Sequence, residues 1–240
     1  MILYLTSSPC VIDADRPLLT TVNDFLRLLR DDLPACPKCL YIASDPDTPE
    51  LNDHYSQDMV EAFGEAGIPF KELRILQSST AEHAMQWIAW SDLIILAGGH
   101  VPTQNNFFRK LKLHKLIRDY SGVMLGISAG TMNCAAMVYA QPEMSGESID
   151  LDYKRFIPGL GLTYLNILPH YQQVKDDVLD GKRLYEDITF GDSFGHSFLV
   201  LPDGSYVRVD DQSSVLYGEA YLLEDGYMRQ ICNNDNKLIL

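Results

Sequence analysis

Gly122-Val123-Met124-Leu125-Gly126-Ile127-Ser128-Ala129-Gly130 is an apolar run long enough for one buried strand, closed by small residues and followed from about Thr131 by a helical pattern. A strand that enters a helix through Gly-x-Ser-x-Gly turns sharply, and the turn lifts the serine hydroxyl above the carboxyl edge of a sheet. The glycines have a steric purpose, because a Cβ two residues before or after the serine crowds the adjoining strand and helix. The same turn leaves the Ala129 N–H at the start of a helix, where unpaired backbone donors favour developing negative charge.

Outward from this elbow, short apolar runs at 1–6, 39–44, 69–75 and 92–97 read as further buried strands. Helical patterns lie between them at 17–31, 52–66, 79–90 and 103–118, with apolar residues at three- and four-residue spacing, as in Leu19, Val22, Phe25, Leu26 and Leu29. Parallel neighbours need crossover connections, and here the crossovers are helical. The series predicts an α/β fold, a three-layer α/β/α sandwich with a mainly parallel sheet. From about residue 195 only strand patterns remain, at 197–201, 206–209, 214–217, 221–223 and 227–231, with turn residues at 202–205 and 224–226. These predict a C-terminal antiparallel β meander.

A chain of 240 residues with 46% hydrophobic content can bury a full core without any linker, so one domain over 1–240 is expected. The net charge of −14 and its spread along the chain argue against a nucleic-acid partner, which needs clustered Lys and Arg. The segment Met1-Ile2-Leu3-Tyr4-Leu5-Thr6 has no basic flank and breaks into polar residues at once, so it reads as a first strand rather than a signal peptide. No run approaches the roughly 18 apolar residues of a membrane span, and a cytoplasmic protein with no membrane partner is expected. The five cysteines are an odd and scattered set, expected to be reduced thiols. Cys36-Pro37-Lys38-Cys39 lacks the second ligand pair of a structural zinc site, so neither metal nor cofactor is expected.

A serine at its ordinary pKa needs a neighbouring base, normally a histidine held by a third polar group. Of the six histidines, His54, His83 and His114 fall within helical patterns. His170 instead follows the apolar segment 164–169, at a strand end expected on the same edge as Ser128. For the acid, Glu143, Glu147, Asp150 and Asp152 lie between Ser128 and His170, with Glu143 favoured because Pro142 stiffens its backbone. One strand before the elbow, Ala97-Gly98-Gly99-His100 lets backbone approach a substrate closely. Gly99 N–H and Ala129 N–H are the expected oxyanion donors. Gln104 and Asn105 are candidates for polar substrate contacts or for helix capping, and His196 for a pocket lining or a strand start.

Ala97-Gly98-Gly99, Gly126-Ile127-Ser128-Ala129-Gly130 and Leu168-Pro169-His170 together resemble the dipeptidase E-like serine peptidases, which include cyanophycinases. The resemblance covers roughly residues 70 to 210, including the hairpin-like Leu201-Pro202-Asp203-Gly204-Ser205. It implies the class I glutamine amidotransferase-like sandwich. It also implies a triad whose acid lies about fifteen positions after the serine, which here is Glu143. Members cleave after an N-terminal aspartate, so the resemblance implies a short acidic peptide as substrate and a cation to hold it. Arg183 is similarly placed to a family arginine, and its planar fork suits a carboxylate. Two departures touch the site: the acidic position holds Glu rather than Asp, and His100 replaces a polar amide that often follows the glycines.

The expected function is therefore a serine peptidase acting through Ser128, His170 and Glu143 by way of an acyl-enzyme. Arg183, Gln104 and His100 are its substrate contacts, a small peptide is its partner, and a homodimer is admissible. An α/β-hydrolase esterase would place its histidine nearer the chain's end, and a glutamine amidotransferase would place cysteine at the elbow. The alternative from another class is a non-catalytic small-molecule or partner-binding protein of the same fold.

Overall fold

The computed structural model describes residues 1–11 and 16–240. The first part alternates β1 (Ile2–Thr6), α1 (Phe25–Asp32), β2 (Lys38–Ile42), α2 (Pro49–Glu65), β3 (Glu72–Leu76), α3 (Ala84–Trp90), β4 (Leu93–Leu96), α4 (Val101–Leu111), α5 (Leu113–Leu116) and β5 (Val123–Ile127). The elbow helix α6 (Ala129–Met132) follows, then β6 (Met137–Tyr139), β7 (Phe156–Pro158), β8 (Asn166–Leu168), α7 (Tyr171–Val174), β9 (Val178–Leu179) and β10 (Lys182–Arg183). A π-helical turn over Leu184–Thr189 leads into α8 (Phe190–Asp192). The tail holds β11 (Ser197–Val200), β12 (Tyr206–Val209), β13 (Ser214–Tyr217), β14 (Ala220–Glu224), β15 (Tyr227–Cys232) and β16 (Lys237–Ile239).

The main sheet runs β16-β13-β12-β1-β5-β4-β2-β3, and its first five strands in chain order are mutually parallel. Pleating sends alternate residues to opposite faces, and helices cover both. On one face Leu3, Leu5, Leu40, Ile42, Ile94, Leu96 and Met124 pack with α3, α4 and α5. On the other, Tyr4, Cys39, Tyr41, Leu93, Ile95, Val123 and Leu125 pack with Phe25 and Leu29 of α1 and Met59, Ala62 and Phe63 of α2. Burial on both sides is why these strands read as continuous apolar runs rather than as alternation. The three-layer α/β sandwich expected from the sequence is the fold observed.

Three helices are shorter than their periodicity predicts, α3 because Ser78–His83 before it forms a 3-10 helix. Asn23 and Asp24 take left-handed backbone angles, with φ of 55° and 61°, so α1 begins at Phe25 rather than near 17. The chain before it is held elsewhere: Leu19 bridges to Cys10, the Asn23 amide donates to Gly204 O at 2.9 Å, and Tyr206 Oη donates to Asn23 O at 2.6 Å. The pattern over 103–118 is likewise split by Lys112, left-handed at φ 54°.

The C-terminal strands pair antiparallel with one another, as β11–β14, β14–β15, β12–β13 and β13–β16, but not as one consecutive meander, and they serve two sheets. β12, β13 and β16 extend the main sheet beside β1, while β11, β14 and β15 form a second sheet, ordered β15-β14-β11-β8. β8 and β11 pair in parallel, with Leu168 opposite Val200. The strand that carries His170 therefore belongs to the second sheet, a correction to its expected place on the edge that carries Ser128. A continuous core joins the sheets, since Ile167, Leu199, Leu201, Ala220 and Cys232 pack with the β1–β5 residues above α3 to α5.

Candidate active site

Ser128 has φ 49° and ψ −111°, a strained backbone for a residue with a side chain, held because both flanks are pinned. Its own N–H donates to Ser7 O at 3.1 Å. Thr6 Oγ1 donates to Gly126 O at 2.7 Å, and Thr131 Oγ1 donates to Thr6 O at 2.8 Å, tying the elbow to the end of β1. The glycine requirement is steric as expected. A Cβ on Gly126 would lie 2.9 Å from the Thr131 backbone, and one on Gly130 would lie 2.2 Å from Leu96 O.

Gly99 follows β4 with φ 145°, where a Cβ would come within 2.5 Å of Ser44 Oγ. A Cβ on Gly98 would make only ordinary contacts at 3.5 Å, so the backbone demand falls on Gly99. Among the described residues, neither Gly99 N–H nor Ala129 N–H has a backbone acceptor. Gly99 lines the same cleft as Ser128, and Ala129 follows the serine in the chain.

Ser128, His170, Gly99 and Glu143 line one cleft of about 410 Å³, with Val101, Met132 and Leu184 among its apolar walls. His170 is left-handed at φ 57°, at the turn from β8 into α7. Its Nδ1 lies 2.7 Å from Asp203 Oδ1. An ionised carboxylate only accepts, so Nδ1 carries a proton, and in the neutral ring this leaves the lone pair on Nε2. The same Asp203 oxygen accepts from Ser7 Oγ at 2.6 Å, and Ser7 Oγ accepts the His170 backbone N–H at 2.7 Å. Asp203 Oδ2 accepts from the Gln172 and Gln173 amides, each at 2.7 Å. Burial pushes the Asp203 carboxyl up, but the hydrogen bond and charge of His170, with Ser7 and Gln172, outweigh it and leave the group below its ordinary value.

The carboxylate on the imidazole is thus Asp203, where Glu143 was expected. Glu143 Oε1 accepts the Val101 N–H at 3.2 Å and stands 4.0 Å from His100 Nε2. Burial raises its carboxyl above the ordinary value, against the lowering pull of His100 and the Val101 N–H. By sequence alone Asp203 reads as a turn residue of Pro202-Asp203-Gly204. Its signal lay in the strand pairing: with Leu168 opposite Val200, His170 and Asp203 leave β8 and β11 on the same edge. Ser7 carried no signal beyond its place at the end of β1.

Three expected substrate contacts are engaged elsewhere. Gln104 is fully buried, its amide donating to Ala97 O at 2.7 Å and its carbonyl accepting from Asn133 Nδ2 at 3.0 Å, so it braces the β4 end. Arg183 places both arms of its fork on Asp187, at 3.0 and 2.6 Å, and that hydrogen bonding holds the Asp187 carboxyl down to about 2. His100 uses both ring nitrogens, Nδ1 at 2.7 Å from Thr103 Oγ1 and Nε2 at 2.8 Å from Glu147 Oε1. Glu147 Oε2 in turn accepts the N–H groups of Glu143 and Met144 at 2.9 and 3.0 Å. His100 therefore fixes the turn that presents Glu143 to the cleft. Asn105 is buried against Asn133 and Pro158 O, and His196 stacks on Phe156 with centroids 4.1 Å apart.

Among the described residues no group of acidic, histidine and cysteine side chains is arranged to hold a metal ion, and no helix is long and apolar enough to cross a membrane. Cys39 and Cys134 are buried in the core.

Residues 5–217 match the profile of peptidase family S51. Two solved structures share the fold. One is a peptidase from an acI-B1 Actinobacterium, with a TM-score of 0.64 at 14% identity, covering 100% of this chain and 96% of that one. The other is a candidate peptidase E protein from Listeria monocytogenes EGD-e, with a TM-score of 0.59 at 15% identity, covering 96% of this chain and 98% of that one. Among curated proteins none matches the sequence.

Proposed function

The chain belongs to peptidase family S51 and is a serine peptidase, and from that premise we propose that Ser128 is its nucleophile, His170 its general base and Asp203 the acid that orients the base. The observation that carries this reading is the 2.7 Å contact between His170 Nδ1 and Asp203 Oδ1 in the cleft that also contains Ser128. That contact selects the tautomer with a free Nε2 lone pair, which a serine hydroxyl must meet in order to lose its proton.

In the proposed reaction Ser128 Oγ attacks the scissile carbonyl carbon while His170 Nε2 takes the hydroxyl proton. The carbonyl oxygen becomes an oxyanion held by the Gly99 and Ala129 N–H groups, each worth on the order of 100-fold in rate. Collapse breaks the C–N bond, and His170 gives its proton to the departing amine. Water, deprotonated by the same imidazole, then releases the acyl group and restores Ser128. A cleft of about 410 Å³ accommodates a short peptide rather than a folded chain. Among the described residues no Lys or Arg lines the cleft to receive the acidic N-terminal residue implied by the resemblance.

A fluorophosphonate probe tests the machinery directly. It should label the native protein and spare Ser128→Ala, and His170→Ala should lose most turnover on short peptides while remaining folded. A native protein that resists the probe, or a His170→Ala variant with undiminished kcat, would overturn the assignment. The non-catalytic binding reading predicts the absence of labelling.

A further inference from the structure

A second cavity, of about 350 Å³, lies beyond Gly99, where β2, β4 and β5 end against α2. Its walls are mainly Tyr41, Tyr55, Met59 and Ile127, and among the described residues that line it Asp58 alone is charged. Asp58 stands at the rim, 3.9 Å from His54 Nε2, with 32% of its side chain in solvent. The cavity meets the catalytic cleft at the nucleophile: Gly99 lines both, and a Cβ on Gly98, which lines this one, would lie 3.5 Å from Ser128 Cβ.

Gly98 has no local reason to be glycine. Its φ is not left-handed, and a Cβ there would meet only Ile127 Cγ2, Ile127 O and Ser128 Cβ, each at an ordinary 3.5 Å. Those atoms bound the space that a side chain would take, between Ser128 and the apolar walls. Gly99 and Gly130 are glycine because neighbouring atoms leave no room for a Cβ. Glycine at 98 instead keeps a passage open.

Resting on the serine-peptidase reading above, we propose that this cavity is a specificity subsite for the apolar or aromatic side chain of the residue on the leaving side of the scissile bond, with Gly98 at its entrance and Tyr55 as its outer wall. Two aromatic rings, a thioether and an isoleucine favour burial of a hydrocarbon side chain. The volume suits one side chain rather than a run of peptide. Asp58 at the rim repels a carboxylate. The acidic acyl residue implied by the resemblance therefore belongs on the other side of the scissile bond, and the cavity falls to the residue that departs. Dipeptides with the same first residue are then sorted by the apolar surface that their second residue buries.

The test is hydrolysis of Asp-Ala, Asp-Leu, Asp-Phe and Asp-Lys, and of Leu-Ala against Ala-Ala, by the native protein, Gly98→Val and Tyr55→Ala, with fluorophosphonate labelling of each. In the native protein kcat/KM for Asp-Leu and Asp-Phe should exceed that for Asp-Ala by about tenfold or more, and Asp-Lys should not. Gly98→Val, which closes the passage, should erase that ratio. Tyr55→Ala, at a half-exposed position of α2 outside the catalytic groups, should keep the label and narrow the ratio by about threefold, since only one wall is lost. Labelled native protein that cleaves none of the Asp peptides, treats them alike or prefers Asp-Lys would overturn the proposal. A preference for Leu-Ala over Ala-Ala that matches the Asp-Leu ratio would do the same, because it gives the cavity to the acyl residue. So would the native ratio in a labelled Gly98→Val or in Tyr55→Ala; if Gly98→Val takes no label, Tyr55→Ala decides. Failure of the native protein to label is a different result, which overturns the Ser128 assignment and this proposal with it.

Discussion

Asp203 Oδ1 holds His170 twice, at 2.7 Å from the ring Nδ1 and, through the Ser7 hydroxyl, by way of the His170 backbone N–H. The imidazole is therefore oriented at its ring and at its backbone by one carboxylate oxygen. Three segments of different origin meet there: the end of β1, the turn after β8 and the turn after β11.

Asp203→Asn keeps the shape but removes the acceptor that selects the Nδ1–H tautomer. The expected loss in kcat is on the order of 10³-fold or more, with KM little changed. Steady-state kinetics on a short peptide checks this. A smaller loss than that of Glu143→Gln would return the role to Glu143.

Ser7→Ala removes the link between Asp203 and the His170 backbone and leaves a partly buried N–H without its partner. Loss of one such bond costs about 1–3 kcal/mol. A lowered thermal midpoint together with a fall in kcat of about tenfold is expected. Ser7→Thr, which restores the hydroxyl, should recover part of both.

Gly130→Ala would force a Cβ to 2.2 Å from Leu96 O, a backbone atom that cannot step aside. It should destabilise the protein by about 3 kcal/mol or more, in the range of core overpacking. Gly64→Ala, on the exposed side of α2 with nothing within 4 Å of the new carbon, should stabilise by about 0.5–1 kcal/mol. Urea denaturation of the two variants reads the contrast.

The Asp203 carboxyl sits below its ordinary value of 3.8, so the folded state binds its proton less readily than the unfolded chain. Its stabilisation is fully present above pH 3.8 and is lost as pH falls through the depressed folded value. The stability difference between the native protein and Asp203→Asn should therefore shrink as pH falls below about 4. A difference independent of pH down to 3 would contradict the pairing.

The elbow was legible in the sequence because its requirements are local. Gly126, Ser128 and Gly130 are spaced for one turn, and the strands Leu93–Leu96 and Val123–Ile127 are apolar throughout because helices cover both faces of the sheet. Gly99 and His170 were legible in the same way, as small or polar residues at strand ends. The interruption at Lys112 was not, since a left-handed lysine leaves no mark in an unbroken apolar period.

Only the tertiary structure decided which groups those residues meet. Asp203 reaches His170 because β11 lies beside β8, and Ser7 reaches both because β1 abuts the elbow strand. Periodicity and steric demand act between neighbours in the chain and can be read from order alone. A hydrogen bond across 33 residues depends on strand order and register, which the whole core determines.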